Sequence, residues 1–174
     1  MSDSSPLDLG PMPTGRKMTV VDERLVRAPV ARIAELAIAV ERWPAILDHY
    51  RHVRFTDRRA DGGGVVEMSA DRPFGPIGWP TWWTSRMSVP RPVDAPPSVR
   101  YTHVAGVTTG MDVEWTFEAR GDFTFVRIVH VWNGPPIPVL GPLVATTVIG
   151  PVFVSGIASR TLAGLAREAE RSSA

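Results

Sequence analysis

A chain of 174 residues, with 44% apolar and 21% charged side chains, is long enough for one domain with a full core and ordinary for a soluble globular protein. Its formal net charge of +1 gives no field strong enough to indicate nucleic acid or an anionic membrane surface. The lack of cysteine excludes disulfides, a thiolate nucleophile and Cys-ligated zinc.

Residues 1–17 are rich in Ser, Pro, Gly and Asp and read as a flexible tail. They lack a basic segment followed by an apolar core, so no signal peptide is expected and a cytoplasmic location is the default. Met18 to Arg27 reads as a first strand. Ala28-Pro29 opens a helix, with Pro29 near the first turn, where a missing N–H costs little. Ile33, Leu36, Ala37 and Val40 recur through it at helical spacing. Trp43-Pro44 is expected to break that helix, and Ala45 to Asp48 to add a short second turn.

Strands follow. Tyr50 to Asp57 is joined by Asp61-Gly62-Gly63-Gly64, a hairpin signal, to Val65 to Ala70. A loop rich in Pro, Gly and aromatics, Asp71 to Pro80, leads to a strand over Thr81 to Val89. A Pro-rich connection leads on to Val99 to Val104. Gly110 to Glu118 has the cleanest alternation, with Met111, Val113, Trp115 and Phe117 on one face and Asp112, Glu114, Thr116 and Glu118 on the other. Period 2 with one apolar face means an antiparallel sheet that is packed on one side and wet on the other. Thr124 to Trp132 is the last strand.

From Asn133 to Ser159 there is no charged side chain, yet five prolines and four glycines interrupt the run. A membrane-spanning helix needs about 20 consecutive apolar residues with internally satisfied backbone bonds. This run is therefore expected to bury itself in the protein or to wall an apolar cavity, and no integral membrane segment is expected. A long helix begins near Pro151. Phe153, Ile157, Thr161, Leu162, Leu165 and Ala169 form its apolar stripe, opposite Arg160, Arg167, Glu168 and Arg171. The order strand, two short helices, six strands, long helix gives an α+β fold with one domain over residues 18–172.

The segments LVRAPVARIAEL (Leu25 to Leu36) and VERWPAILDHYRHVRF (Val40 to Phe55), together with the terminal helix, resemble the START-like, helix-grip (SRPBCC) superfamily. Within it the chain is similar to the polyketide cyclase/dehydrase and coenzyme Q-binding branch, over roughly Met18 to Arg171. The resemblance implies a curved seven-stranded antiparallel sheet around the terminal helix, with a hydrophobic cavity between them. Relatives bind lipids, quinones, sterols or polyketides, and some catalyse cyclisation, dehydration or hydrolysis. No shared catalytic motif carries over residue by residue.

Candidate site residues come from the strand faces. Placing Arg127 toward solvent turns Val126, Ile128, His130 and Trp132 inward, and an inward His130 can give or take a proton near neutrality. A buried neutral histidine satisfied by the backbone is the competing reading. Tyr101 and His103 share a face and would add polar tips to an apolar cavity. Trp83, Met87, Met111, Trp115 and Trp132, with Phe153 and Ile157 from the helix, suit flat apolar ligands, although plain core packing explains each singly. His49 and His52 are expected on opposite faces of a strand, so no metal site is expected there. Arg51, Arg54, Arg58 and Arg59 form a basic cluster without interleaved aromatics, which reads as a solvated face and not a nucleic-acid site. No Gly-x-Ser-x-Gly elbow, phosphate loop or dinucleotide fingerprint occurs, and no cofactor is expected.

Two principal functions follow. One is binding of a small hydrophobic or aromatic ligand (lipid, quinone or polyketide-like). The other is a polyketide cyclase or dehydratase in which His130 or Tyr101 moves protons while the cavity folds the substrate. A partner-docking role for the uncharged run is the third.

Overall fold

The computed structural model describes residues 5–72, 79–134 and 154–171. The order of elements follows the sequence reading, with shifted ends. Strand β1 (Met18–Val26) is followed by helix α1 (Val30–Ile38), a 3-10 turn (Val40–Arg42) and helix α2 (Trp43–Ile46). Strands β2 (Tyr50–Arg58), β3 (Gly64–Arg72), β4 (Trp79–Ser88), β5 (Val99–Gly106), β6 (Asp112–Arg120) and β7 (Phe123–Trp132) precede the long helix α3 (Ser155–Arg171). Pro44 lies in the first turn of α2 and does not end the helical region, because a first-turn N–H has no intrahelical partner to lose. Strand β6 starts at Asp112, two residues later than expected, because Thr109 N–H closes a turn on the Gly106 carbonyl and Gly110 takes φ 84°.

All seven strands form one antiparallel sheet in the order β1-β7-β6-β5-β4-β3-β2. The chain-adjacent strands β1 and β2 are the two edges, and α1 and α2 make the crossing between them. One apolar face of the sheet meets the helices. Val66, Val99, Val126 and Ile128 share one core cluster there with Ile33, Leu36, Val40 and Trp43 and with Leu162, Leu165, Ala166 and Ala169 of the last helix.

Helix α3 is pinned along its length. Ser155 donates to Asp22 Oδ1 on β1 at 2.9 Å, and Glu170 Oε1 accepts from the Arg27 backbone N–H at 3.1 Å. Between these ties Gly164 lies against Leu47, where a Cβ would stand 2.2 Å from Leu47 Cδ2. Only glycine permits that approach without displacing a buried leucine. Phe153, Pro151 and most of the uncharged run lie outside the described residues. Among the described residues no helix is long and apolar enough to cross a membrane.

The outer face carries the charges. Arg54 pairs with Glu67 at 2.8 Å, Arg51 with Asp71 at 3.6 Å, Arg59 with Asp57 at 3.1 Å, and Arg58 with Glu41. Residues 5–17, loose by composition, make several contacts with the sheet. The Gly10 carbonyl accepts from Arg100 at 2.8 Å, the Ser5 carbonyl from Arg59 at 3.2 Å, and Lys17 N–H donates to Asn133. Asp112 was expected to be solvated and is buried, because Thr102 donates to it at 2.6 Å and Arg16 stands 3.9 Å away.

Candidate functional site

Strand alternation aims one set of side chains from every inner strand at a common space under α3. Thr81 and Trp83 on β4, Tyr101 and His103 on β5, Val113 and Trp115 on β6 and His130 on β7 face it, with Met111 just before β6. Tyr50 and Met68 close the β2–β3 side, Trp43 comes from α2, and Ile157, Ala158 and Thr161 come from α3. They line a pocket of about 90 Å³ that is partly open to solvent. A water needs roughly 10–15 Å³ of such space, and an apolar cavity of about 150 Å³ holds benzene. At its present volume the hollow admits a few waters and is smaller than that benzene site, so a ring-sized or larger ligand must part the walls.

The walls are aromatic. Trp43 meets Tyr50 edge-on at 5.1 Å and Trp115 at 6.0 Å, and Tyr50 meets Trp83 at 6.2 Å. The His103 ring stacks on Trp83 at 6.0 Å with 21° between the planes, and its Nδ1 lies 2.7 Å from Thr108 Oγ1. No Asp, Glu, Lys or Arg lines the cavity among the described residues. Both histidines in the wall are neutral at pH 7. Burial holds His103 down at about 4; burial, then the neighbouring His103, holds His130 down at about 3. Burial also raises both tyrosine hydroxyls, so they stay protonated.

Two of these groups lack hydrogen-bond partners among the described residues: Tyr101 Oη and His130 Nδ1, both buried. Buried polar atoms are nearly always paired, so two orphans on one cavity call for an explanation.

The structure brings Trp83, Tyr101, His103, Met111, Trp115, His130 and Ile157 together around this space. Met87 and Trp132 do not line it. Met87 shares the inward face of β4 but lies two pleats beyond Trp83, fully buried in the core cluster. Trp132 tucks under the β5–β6 turn, where its indole N–H donates to the Thr109 carbonyl at 2.9 Å. Phe153 lies outside the described residues. Sequence reading missed Trp43, Tyr50, Met68 and Thr161. Among the described residues no cluster of His, Asp and Glu has the makings of a metal site.

This geometry, a curved antiparallel sheet gripping a C-terminal helix over an internal cavity, is the START-like helix-grip fold. Solved structures agree. The Zhui aromatase/cyclase from Streptomyces superposes with a TM-score of 0.75 at 19% identity, over 90% of this chain and 96% of that one. A Thermus thermophilus protein gives 0.71 at 18% identity, over 90% and 100%. A START superfamily protein from Mycobacterium smegmatis gives 0.65 at 17% identity, over 88% and 97%. At these identities the likeness defines the fold. No protein-family profile matches the chain, and no curated protein matches it in sequence.

Proposed function

We propose that this protein binds a small uncharged hydrophobic or aromatic ligand in the cavity beneath α3, with Tyr101 and His130 as its polar anchors. The observation that carries this reading is the pair of unpaired buried groups, Tyr101 Oη and His130 Nδ1, in a wall otherwise aromatic and uncharged. An apolar body would be held by surface burial, at about 25 cal/mol per Å² before association costs. A ligand oxygen reaching Tyr101 or His130 would supply the missing hydrogen bond. A charged ligand would leave water for a wall with no countercharge, at a cost of several kcal/mol (order of magnitude).

A second reading, a cyclase or dehydratase using the same cavity, draws on the two phenols and two imidazoles around one space and on the aromatase/cyclase named among the solved structures. Within the cavity itself the chemistry favours binding. An efficient general base has a pKa near the working pH, and imidazoles held at about 4 and about 3 are weak bases at pH 7. They orient a ligand better than they deprotonate it.

Fluorescence titration with 2-naphthol and with 2-naphthoate tests the proposal. The neutral naphthol is expected to bind, to bind more weakly to Tyr101→Phe, and to outcompete the anion by about tenfold or more. Equal binding of the two, or no binding of either, would overturn it.

A further inference from the structure

A second hollow, of about 410 Å³, lies between α3 and the turn that joins α2 to β2, and it shares no lining residue with the pocket beneath the helix. Its volume is in the range of small-molecule sites, about 300–1,000 Å³, but its wall is charged. Arg160, Arg167 and Arg171 come at i, i+7 and i+11, a spacing that turns all three to one side of α3. Arg160 and Arg167 stand about 10 Å apart along the helix axis. The lining between them consists of Ala163 and Gly164. Arg167 folds back over that small floor, and its Nη2 is 3.7 Å from where a Cβ on Gly164 would stand. It has no ion pair or hydrogen bond among the described residues.

Three arginines face two carboxylates, Asp48 and Glu168, so the cleft carries one net positive charge with His49 neutral in its wall. The ion pairs inside it are loose. Arg171 is 3.6 Å from Glu168. Asp48, its side chain 89% exposed, puts Oδ1 3.3 Å from Arg160 Nη2 and 3.4 Å from His49 Nδ1. Ion pairs this exposed contribute little and yield to a stronger acceptor. Asp48 also shows that an oxyanion oxygen fits between Arg160 and His49. A cation in the last turn suits the negative end of the helix dipole, which accounts for Arg171. That effect fades within one turn and leaves Arg160 and Arg167 unexplained.

We propose that this cleft binds a soluble phosphate monoester, with the phosphate over Ala163 and Gly164 between Arg160 and Arg167, and Arg171 at the rim. A carboxylate has two oxygens, which one guanidinium fork satisfies. A phosphate monoester has three terminal oxygens and a charge of about −1.5 to −2 at pH 7, enough to engage two forks at once. It outcompetes Asp48 for Arg160 and brings the unpaired Arg167 its missing acceptor. Asp48, on an exposed turn, gives up Arg160 as the phosphate enters. The concave wall favours a compact anion over a flat acidic surface, and the half-buried Ile46 gives the organic half of the ester an apolar neighbour. Binding here needs no ligand in the pocket beneath α3, so a failed 2-naphthol titration counts against that pocket alone.

Amide chemical shifts of the ¹⁵N-labelled full chain test this, in titrations at constant ionic strength with phenyl phosphate, inorganic phosphate and benzoate. Phenyl phosphate is expected to give saturable shifts centred on His49, Ala163, Gly164 and Arg167, and to bind at least about fivefold more tightly than benzoate. Arg167→Gln should weaken it about tenfold, by the loss of one charge-assisted contact. Asp48→Asn removes the internal competitor and should tighten it by about threefold or more. Arg54→Gln, at an ion pair on the outer sheet face, should change nothing. Shifts that climb without saturating, or that fall equally on the arginines of the outer face, would mean a non-specific cationic surface and defeat the proposal. So would benzoate binding as tightly as phenyl phosphate, or no gain from Asp48→Asn, whether or not Arg167→Gln folds. Tighter binding of inorganic phosphate would overturn the ester assignment. Sedimentation with phosphatidylglycerol vesicles, without a saturable response to phenyl phosphate, would assign the face to an anionic membrane instead.

Discussion

Replacing Tyr101 by Phe should make the empty protein more stable and the binding protein worse. The Tyr101 ring is buried, and its hydroxyl has no partner among the described residues. An unsatisfied buried hydroxyl costs about 1–3 kcal/mol of desolvation with nothing returned. Removing one oxygen adds roughly 10 Å³ of void, which at about 24 cal/mol per Å³ loses only about 0.25 kcal/mol. The balance is a gain of about 1 kcal/mol or more, and for a chain of this size each kcal/mol moves Tm by about 2–4 °C. Thermal unfolding followed by circular dichroism, without ligand, should show Tm rising by that amount. The same variant should bind 2-naphthol about five- to tenfold more weakly, since one hydrogen bond contributes about 1 kcal/mol. A fall in Tm would mean that the hydroxyl already makes a stabilising bond, and the case for Tyr101 as a waiting ligand anchor would collapse.

Stability should also fall on mild acidification. His103 and His130 have folded pKa values of about 4 and about 3, against an ordinary 6.5, so below pH 6.5 the unfolded chain binds protons that the folded one refuses. The contribution is complete above pH 6.5 and drains away at about 1.4 kcal/mol per pH unit per histidine, or about 2–3 kcal/mol for the pair between pH 7.5 and 5.5. Urea unfolding across that range should show it, with His130→Phe removing one share; a flat profile would contradict the lowered folded-state values of the two imidazoles. Gly106→Ala should cost about 3 kcal/mol, because Gly106 has φ 94° and a Cβ there would stand 2.5 Å from the Trp82 carbonyl oxygen. Gly121→Ala is the control, with φ 61° and nothing within 4 Å, and should cost only about 1 kcal/mol in the same urea assay.

The sheet was legible because its pattern is local. In β6 and β7 the alternation of Val113, Trp115 and Phe117, and of Val126, Ile128 and His130, fixes which face is inward without reference to the rest of the chain. The same rule places Tyr101 beside His103 on the cavity side. It fails where the ladder is irregular. The register of β2 shifts between Tyr50 and His52, and His49 precedes that bulge, so both His49 and Tyr50 are buried while His52 is exposed. Strict alternation places His49 and His52 on opposite faces and does not point to Thr161, a residue more than a hundred positions distant. Beside a proline, Trp43 reads as a helix breaker, and its place in the wall depends on how α2 docks. Met87 and Trp132 show the opposite failure. Both face inward as alternation demands, but alternation does not say where along a strand the hollow ends and the solid core begins.

What keeps the hollow open is the way α3 is held. A helix lying over an empty space gains by settling into it, since each CH₂ newly buried is worth about 0.8 kcal/mol. Here the Asp22–Ser155 bond fixes one end, the Arg27–Glu170 bond fixes the other, and Leu47 against Gly164 acts as a stop between them. His49 on Thr161 adds a polar strut beside the cavity itself. Collapse would require these ties to break together. A ring-sized or larger ligand must therefore make room by moving side chains and not the helix. The wall offers suitable ones in Met68, Met111 and Ile157, of which the two methionines are unbranched and change rotamer most easily. On this argument ligand size is limited by rotamer changes on the sheet side, while α3 and its His49–Thr161 strut keep their place through binding.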